Sequence, residues 1–311
     1  FTSGMAAIST SIMANVKTGD HIIFQDDLYG GTRNFIQTEF DKFGIQYSFT
    51  KGLDPKDFSD QVKDNTVGIY VETPSNPLLK IVDLKSVSSI AKKNGIWTMI
   101  DNTFASPVNQ NPIDHGIDIV IHSATKYLGG HSDISAGAVI STEEKIENIL
   151  NSAKNFGGNL SDYTVWLLER SMKTLLVRVK QQTENAKILA KMLDDNKNIS
   201  KVYYPGLESH PSHSIAKEQM NDFGAMMSFD LNENVDVYTF LESLKIIKPG
   251  MSLAGVETTV NFPMKTSHGL MTQEERDIQG IGDKLIRLSA GIESYEDLYE
   301  DLAQAIKSSI K

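Results

Sequence analysis

Five short apolar runs rich in β-branched residues recur through the first half of this chain. They span residues 21–26, 67–72, 96–101, 117–123 and 136–141. Their lengths, about five to seven residues, are typical of buried strands. Segments with helical character separate several of these runs, including residues 30–44 and 82–95. This alternation predicts an α/β fold with a mostly parallel central sheet and helices on both faces.

The pattern changes near residue 177. Beyond it the sequence predicts a long amphipathic helix at residues 174–196, a short strand at 225–231 and a C-terminal helix at 295–310. A length of 311 residues suits about two domains of ~150 residues each. We therefore predict a large domain at residues 1–177 and a smaller α+β domain at residues 178–311.

Composition narrows the classes of function. The formal net charge of −10 argues against a nucleic-acid partner, because such proteins usually present a basic face. The chain has no cysteine, which excludes disulfides, a thiol nucleophile and thiolate metal sites. No apolar run reaches the ~18 residues of a membrane-spanning helix. We expect a soluble cytoplasmic protein with no membrane partner.

Polar side chains follow four of the predicted strands, at the point where each strand ends. In parallel sheets these carboxyl ends meet at one edge, where ligands bind. Any one of these groups alone is typical of a cap or a turn, but together they predict a site. The side chains are Asp27 and Tyr29 after the first run, Glu72 and Asn76 after the second, Asp101 after the third, and Ser123, Thr125 and Lys126 after the fourth.

The segment that begins with Ser3 and Gly4 precedes a helical stretch, so free backbone N–H groups there can bind an anion. A plain helix cap explains Ser3 equally well on its own. Joined with the hydroxyls of Ser123 and Thr125, the segment suits a phosphate group. Pyridoxal phosphate also needs an amine for its aldehyde, a carboxylate for its ring nitrogen and an aromatic stacking partner. The chain therefore predicts a pyridoxal-phosphate site.

The motifs resemble one known family in order and in sequence. They are SGMAA at 3–7, DDLYGGT at 26–32, ETPSNP at 72–77, DNTF at 101–104, SATKYLGGHSD at 123–133 and RLSAGIE at 287–293. Together they resemble the Cys/Met-metabolism family of fold-type-I pyridoxal-phosphate enzymes over essentially the whole chain. That family includes cystathionine γ-synthase, the cystathionine lyases, methionine γ-lyase and the homoserine-ester sulfhydrylases.

The resemblance implies a role for each matching residue. Lys126 would be the Schiff-base lysine and proton shuttle, and Tyr29 would stack on the cofactor ring and assist catalysis. Asp101 would pair with the ring nitrogen, and Arg287 would clamp the substrate carboxylate. The implied cofactor-binding set is Ser3, Gly4, Met5, Tyr29, Asn76, Asp101, Thr103, Ser123, Thr125 and Lys126, and the implied substrate-binding set is Glu72, Asn76, Ser252, Leu253 and Arg287.

The resemblance also implies a homotetramer, a dimer of dimers with active sites shared between subunits. Family members carry an N-terminal arm with a Tyr-x-Arg pair that reaches the neighbouring subunit's cofactor. This chain starts at Phe1, beyond the place of that arm, so we expect a natural N-terminal segment before it. Met251, next to Ser252, lacks the charge that a glutamate supplies there in some members for cystathionine's distal amine.

We predict a transsulfuration enzyme that makes or breaks a C–S bond at the β or γ carbon of an amino acid, with a cystathionine lyase favoured. Cystathionine γ-synthase and O-acyl-homoserine sulfhydrylase are the enzymatic alternatives. A non-catalytic binding or regulatory protein with the same fold is the alternative from another class.

Other motifs suggest less. There is no P-loop, and no G-x-G-x-x-G follows a predicted strand. His210 and His213 are spaced like metal ligands, but no further ligands stand nearby, so we predict no metal site. We interpret His122 and His131 as supporting residues, and His268 as a loop residue near the substrate entrance.

Overall fold

The structure, a computed structural model, describes residues 1–266, 269 and 272–311. His268 lies outside these residues. The strands in the described residues are β1 His21–Phe24, β2 Gln46–Phe49, β3 Thr66–Glu72, β4 Trp97–Asp101, β5 Ile119–Ser123, β6 Gly137–Ile140, β7 Ile199–Tyr203, β8 Met226–Leu231, β9 Lys248–Pro249, β10 Thr259–Asn261 and β11 Leu285–Ser289.

The helical segments predicted at residues 30–44, 82–95, 174–196 and 295–310 are present, as Gly30–Glu39, Leu84–Asn94, Leu175–Asp194 and Tyr295–Ser308. A serine or aspartate side chain caps several of the helices; Ser3, for example, accepts from Ala6 N at 3.0 Å at the start of α1. The helices are α1 Gly4–Ala14, α2 Gly30–Glu39, α3 Pro55–Ser59, α4 Leu84–Asn94, α5 Ser106–Asn109, α6 Glu143–Phe156, α7 Asp162–Met172, α8 Leu175–Asp194, α9 His213–Gln219, α10 Val237–Ser243, α11 Gln273–Gln279 and α12 Tyr295–Ser308.

The first sheet has the order β2-β1-β3-β4-β5-β6. Its strands are parallel except β6, which runs antiparallel to β5. Both faces are buried: Ile22 and Phe24 pack with apolar residues of α1 and α2 on one face, and Ile23 packs with α3 and α4 on the other. Burial on two faces explains why these strands are apolar without alternation. The predicted mostly parallel sheet with helices on both faces is confirmed.

The second sheet has the order β7-β8-β11-β10-β9. Its largest pairings, β8 with β7 and with β11, are antiparallel. Apolar residues of α8 and α12 cover it and form a separate core. The predicted domain boundary at residue 177 falls in the first turn of α8, and the division into two domains stays a prediction.

Candidate active site

The carboxyl ends of β3, β4 and β5 bring the sequence-predicted polar residues to one edge of the first sheet. Glu72 and Asp101 end β3 and β4 and are direct register partners. Asp101 Oδ1 accepts a hydrogen bond from Thr103 N at 2.9 Å. The Thr103 hydroxyl in turn accepts from Ser123 N, at the end of β5, at 2.8 Å. Backbone and side-chain hydrogen bonds thus connect neighbouring strand ends across this edge.

Both carboxyl groups of this edge are buried. Burial raises the pKa of Asp101, although hydrogen bonds from Thr103 oppose that shift. Burial also raises the pKa of Glu72 well above its usual range, and the charge of Asp101 raises it further. Neither carboxyl forms an ion pair within the described part of the chain. The site therefore holds a carboxyl pair that lacks a basic partner of its own.

The N-terminus of α1 meets the end of β5. A side-chain carbon at Gly4 would lie 2.8 Å from Ser123 Cβ, so the helix backbone approaches Ser123 closely. Among the described residues, nothing accepts a hydrogen bond from the N–H groups of Gly4 and Met5. The Thr125 hydroxyl is occupied by the backbone of Ala136. Free amides at a helix N-terminus beside the Ser123 hydroxyl are suited to bind an anion.

The ring of Tyr29 lies beside this helix end. Tyr29 directly precedes α2, and its backbone N donates to Glu72 Oε2 at 2.7 Å. A side-chain carbon at Gly31 would lie 2.6 Å from Tyr29 Cε1 and 3.2 Å from Met5 Sδ. The phenol is 45% exposed, so its ring is open to a planar ligand.

Lys126 stands in the turn that follows β5. Its backbone N donates to Ser123 O at 3.0 Å. The amine has no hydrogen bond or ion pair with any residue that the structure describes. Burial and the positive charge of Arg287 lower its pKa, which increases the fraction of neutral, nucleophilic amine at a given pH.

Arg287, on β11, reaches this site from the second sheet. Its Nη1 donates to Asn76 Oδ1 at 2.9 Å, and its Nη2 donates to Met251 O at 3.1 Å. The side chain is buried, and burial lowers its pKa to about 10, so it remains a cation at neutral pH. It forms no ion pair with a described carboxylate. A buried guanidinium without an acidic partner suits an anionic ligand group.

Ser252 and Leu253 follow Met251 in the same loop. Ser252 is exposed, whereas Leu253 is buried and belongs to the core of the second sheet. The structure therefore brings the Met251 carbonyl to Arg287, while the ligand contacts predicted for Ser252 and Leu253 stay predictions.

Lys80 and Arg178, which sequence reasoning did not select, also support the site. Asp27 Oδ2 accepts from Ser75 Oγ at 2.6 Å and pairs with Lys80 at 3.4 Å. Arg178 of α8 donates to the carbonyls of Tyr127 and Leu128, immediately after Lys126. These partners are distant in sequence, so no local motif marks them.

The glycine pair after Lys126 has one clear structural role. Gly130 has a φ of +70°, and a side-chain carbon there would lie 1.9 Å from Arg178 Nη1. The backbone turns tightly here, and the group that approaches it closely is the Arg178 guanidinium.

Among the histidines singled out in the sequence, His210 and His213 share one turn, in which His213 N donates to His210 O at 3.0 Å. His122 is buried, which lowers its pKa to about 4, and His131 Nδ1 lies 2.7 Å from Gly129 O. His213 Nδ1 lies 2.8 Å from Pro205 O. The described residues contain no group of three or more His, Cys, Asp or Glu placed to hold a metal ion. The described residues also contain no helix with the length and apolar composition needed to span a membrane.

A family model for Cys/Met metabolism PLP-dependent enzymes matches residues 1–307. The chain belongs to this family. Among its relatives, the cystathionine beta-lyase of Lactococcus lactis subsp. cremoris (strain MG1363) is 44% identical over 99% of this chain and 81% of the relative. The cystathionine gamma-lyase of Bacillus subtilis (strain 168) is 42% identical with the same coverage.

Solved structures agree with the family assignment. Cystathionine gamma-lyase from Lactobacillus plantarum, complexed with L-serine, has a TM-score of 0.96 and 40% identity, over 99% of this chain and 81% of that one. Cystathionine gamma synthase from Xanthomonas oryzae pv. oryzae, in complex with aminoacrylate and cysteine, has a TM-score of 0.95 and 38% identity, over 99% and 80%. The predictions of the family, of an enzyme and of pyridoxal phosphate as cofactor are confirmed.

The geometry of this family member fits the cofactor. The free amides of Gly4 and Met5 and the Ser123 hydroxyl suit a phosphate, and the unpaired amine of Lys126 suits an aldehyde. Asp101 is a buried carboxylate without a basic partner, which suits a protonated ring nitrogen. The groups suited to the phosphate and the aldehyde have no hydrogen-bond partner among the described residues, and Asp101 is bonded to Thr103 but has no basic partner.

Proposed function

We propose that this chain is a carbon–sulfur lyase that cleaves cystathionine at the candidate active site. One observation carries the proposal. The amine of Lys126 is close enough to the buried guanidinium of Arg287 for the charge of Arg287 to lower its pKa, and neither group forms an ion pair with a described carboxylate. An amine that reacts with a carbonyl and a cation that binds a carboxylate together suit an α-amino acid. Relatives named cystathionine beta-lyase and cystathionine gamma-lyase support cystathionine as the substrate.

The residues that would hold pyridoxal phosphate follow from the contacts above. Lys126 would hold it through its amine, and Asp101 would neutralise the ring nitrogen. The amides of Gly4 and Met5, with Ser3, Ser123 and Thr125, would bind the phosphate. The Ser123 hydroxyl is better supported in that role than the Thr125 hydroxyl, which is already bonded to Ala136. Tyr29 would stack on the ring, and Asn76 and Thr103 would line it.

The chain's own residues then perform the steps around the bound amino acid. Pyridoxal phosphate supplies a ring that accepts the electron pair left when the α-proton departs. Arg287 holds the substrate carboxylate, which fixes the α-carbon relative to Lys126. The amine of Lys126 would remove the α-proton from the substrate held in this way. Loss of sulfur from the β carbon can follow directly, whereas loss from the γ carbon needs a second proton removal, at the β carbon.

The reaction is tested by incubating the protein with pyridoxal phosphate and cystathionine. We expect ammonia and one 2-oxo acid in equal amounts, because elimination releases both from one substrate molecule. Pyruvate would identify cleavage at the β carbon, and 2-oxobutyrate cleavage at the γ carbon. Cofactor binding without either product would contradict the lyase proposal and favour γ-replacement on an activated homoserine ester.

We also propose that the chain forms the homotetramer expected from its family resemblance. Apolar side chains on α7 and at the start of α8 support an interface, because Tyr163, Trp166, Leu176 and Val177 are each more than half exposed. Exposed aromatic and aliphatic residues on two neighbouring helices are typical of a protein contact. Sedimentation at four chain masses is the expected result, and a monomer at micromolar concentration would contradict it.

A further inference from the structure

We propose that Glu72 acts as a neutral carboxylic acid, which holds the Tyr29 backbone in position and leaves Asp101 as the anionic partner of the cofactor. This makes Glu72 a positioning residue, in place of the substrate contact that the resemblance implies. The proposal deepens the proposed function and rests on it only for the role of Asp101.

The contacts of Glu72 tie three segments together. Its Oε2 accepts from Tyr29 N at 2.7 Å, where α2 begins, and the backbone N–H of Asn76 donates to the same carboxyl group. Its own backbone N donates to Gln25 Oε1 at 3.0 Å. The carboxyl therefore fixes the segment that carries the Tyr29 ring and the loop whose Asn76 side chain accepts from Arg287.

The surroundings of Glu72 disfavour a second negative charge. Asp101 is its register partner on the neighbouring strand. Register partners on parallel strands point to the same face of the sheet, and neighbouring strands lie about 4.8 Å apart. Glu72 is 5% exposed and Asp101 is 7% exposed. The charge of Asp101 acts on Glu72 across this buried edge, so the two carboxyl groups do not both ionise readily, and we expect the pair to hold one proton near neutral pH.

The other charged groups near Glu72 do not relieve this repulsion. Asp27, in the loop after β1, adds negative charge, and its neighbour Lys80 already pairs with it at 3.4 Å. Lys126 and Arg287 belong to the same site, but neither forms an ion pair with Glu72. Tyr70, two residues earlier on β3, is buried, and its hydroxyl has a raised pKa.

Glu72 is the member of the pair that keeps the proton. Burial raises the pKa of both groups, and the charges of Asp101 and Asp27 raise that of Glu72 further. Backbone hydrogen bonds from Tyr29 and Asn76 lower the pKa of Glu72, as hydrogen bonds from Thr103 lower that of Asp101, but neighbouring negative charges raise the pKa of Glu72 alone. A protonated ring nitrogen would further favour the Asp101 anion.

The protonation state can be measured directly in the cofactor-free protein. Infrared spectra of protein labelled with carboxyl-¹³C glutamate separate protonated from ionised glutamates. Glu72 is the one buried glutamate among those whose side chains the structure describes, so one protonated band is expected at neutral pH. That band should be absent from Glu72→Gln. If the wild-type spectrum has no such band, the proposal is wrong.

Stability against pH gives a second readout of the same cofactor-free protein. A carboxyl with a raised folded-state pKa contributes stability below the unfolded-state pKa and loses it as pH rises through the folded-state value. Glutamine does not titrate. The unfolding midpoint of Glu72→Gln should therefore rise relative to wild type as pH increases from the ordinary glutamate range through neutrality. A constant difference over this range would contradict a neutral Glu72.

Cofactor affinity tests the positioning role. Glutamine keeps an oxygen that accepts from Tyr29 N, so Glu72→Gln should bind pyridoxal phosphate within about threefold of wild type. Glu72→Ala leaves that amide without its acceptor and should bind about tenfold more weakly. Equal weakening in both variants would overturn the positioning role. Failure of the wild-type protein to cleave cystathionine would count against the proposed function alone, because the infrared and stability results do not depend on turnover.

Discussion

Replacing Lys126 with alanine is expected to abolish the visible absorption band that pyridoxal phosphate forms with the protein, and to reduce turnover by about 10³-fold or more. The amine at this position has no partner among the described residues, and its lowered pKa suits both attack on a carbonyl and proton transfer. Alanine removes the only group that we propose for both tasks. Absorption spectra and cystathionine cleavage measure the two effects separately.

A matched control is available on the surface. Lys173→Ala removes an exposed lysine whose partner is Glu169, at 3.5 Å, and should change neither the band nor the rate. Exposed pairs of this kind contribute about 0–1 kcal/mol to stability. If Lys126→Ala kept both the band and turnover, the proposed chemistry would be wrong. Loss of turnover with an intact band would leave Lys126 with a role in proton transfer alone.

Replacing Arg287 with lysine is expected to reduce kcat/KM for cystathionine by about 10²–10³-fold, or about 3–4 kcal/mol, while the absorption band persists. Lysine keeps the positive charge but lacks the planar group that can bind Asn76 and a carboxylate together. It also leaves Asn76 Oδ1 and the Met251 carbonyl without their present donor. The principal change should appear in KM, because the lost contact is with the substrate carboxylate.

Steady-state kinetics with cystathionine, together with cofactor titration, test this prediction. An unchanged unfolding midpoint would show that the effect is local. If Arg287→Lys raised KM by less than about threefold, the substrate carboxylate would have to bind elsewhere. Loss of the cofactor band in this variant would instead indicate that Arg287 organises the cofactor site through Asn76.

The strands of the first sheet were largely predictable because both of their faces are buried. The runs at residues 67–72 and 96–101 match β3 and β4 within one residue. Strand β2, Gln46–Phe49, was missed because it lies at the edge of the sheet and none of its residues is fully buried. Such a strand has no continuous apolar pattern, and its pairing with β1 is what defines it.

The sequence predicts those residues of the candidate site that directly follow a strand. The motifs around Tyr29, Asp101 and Lys126 lie at strand ends, and parallel strands bring those ends together. Arg287 was selected from its motif alone, because it stands in the middle of β11 in the other sheet. The contacts of Asp27 with Ser75 and of Arg178 with Tyr127 had no local signal.

The sequence alone determined the alternation of strands and helices, the family, the cofactor and the side chains capable of its chemistry, because these depend on local pattern and residue type. Tertiary structure decided which groups meet. It joins Arg287 to Asn76 across 211 positions and sets Glu72 beside Asp101 through the register of β3 and β4. Register and packing depend on many contacts between residues that are distant in sequence. No short segment therefore predicts that Glu72 and Asp101 become neighbours in the site.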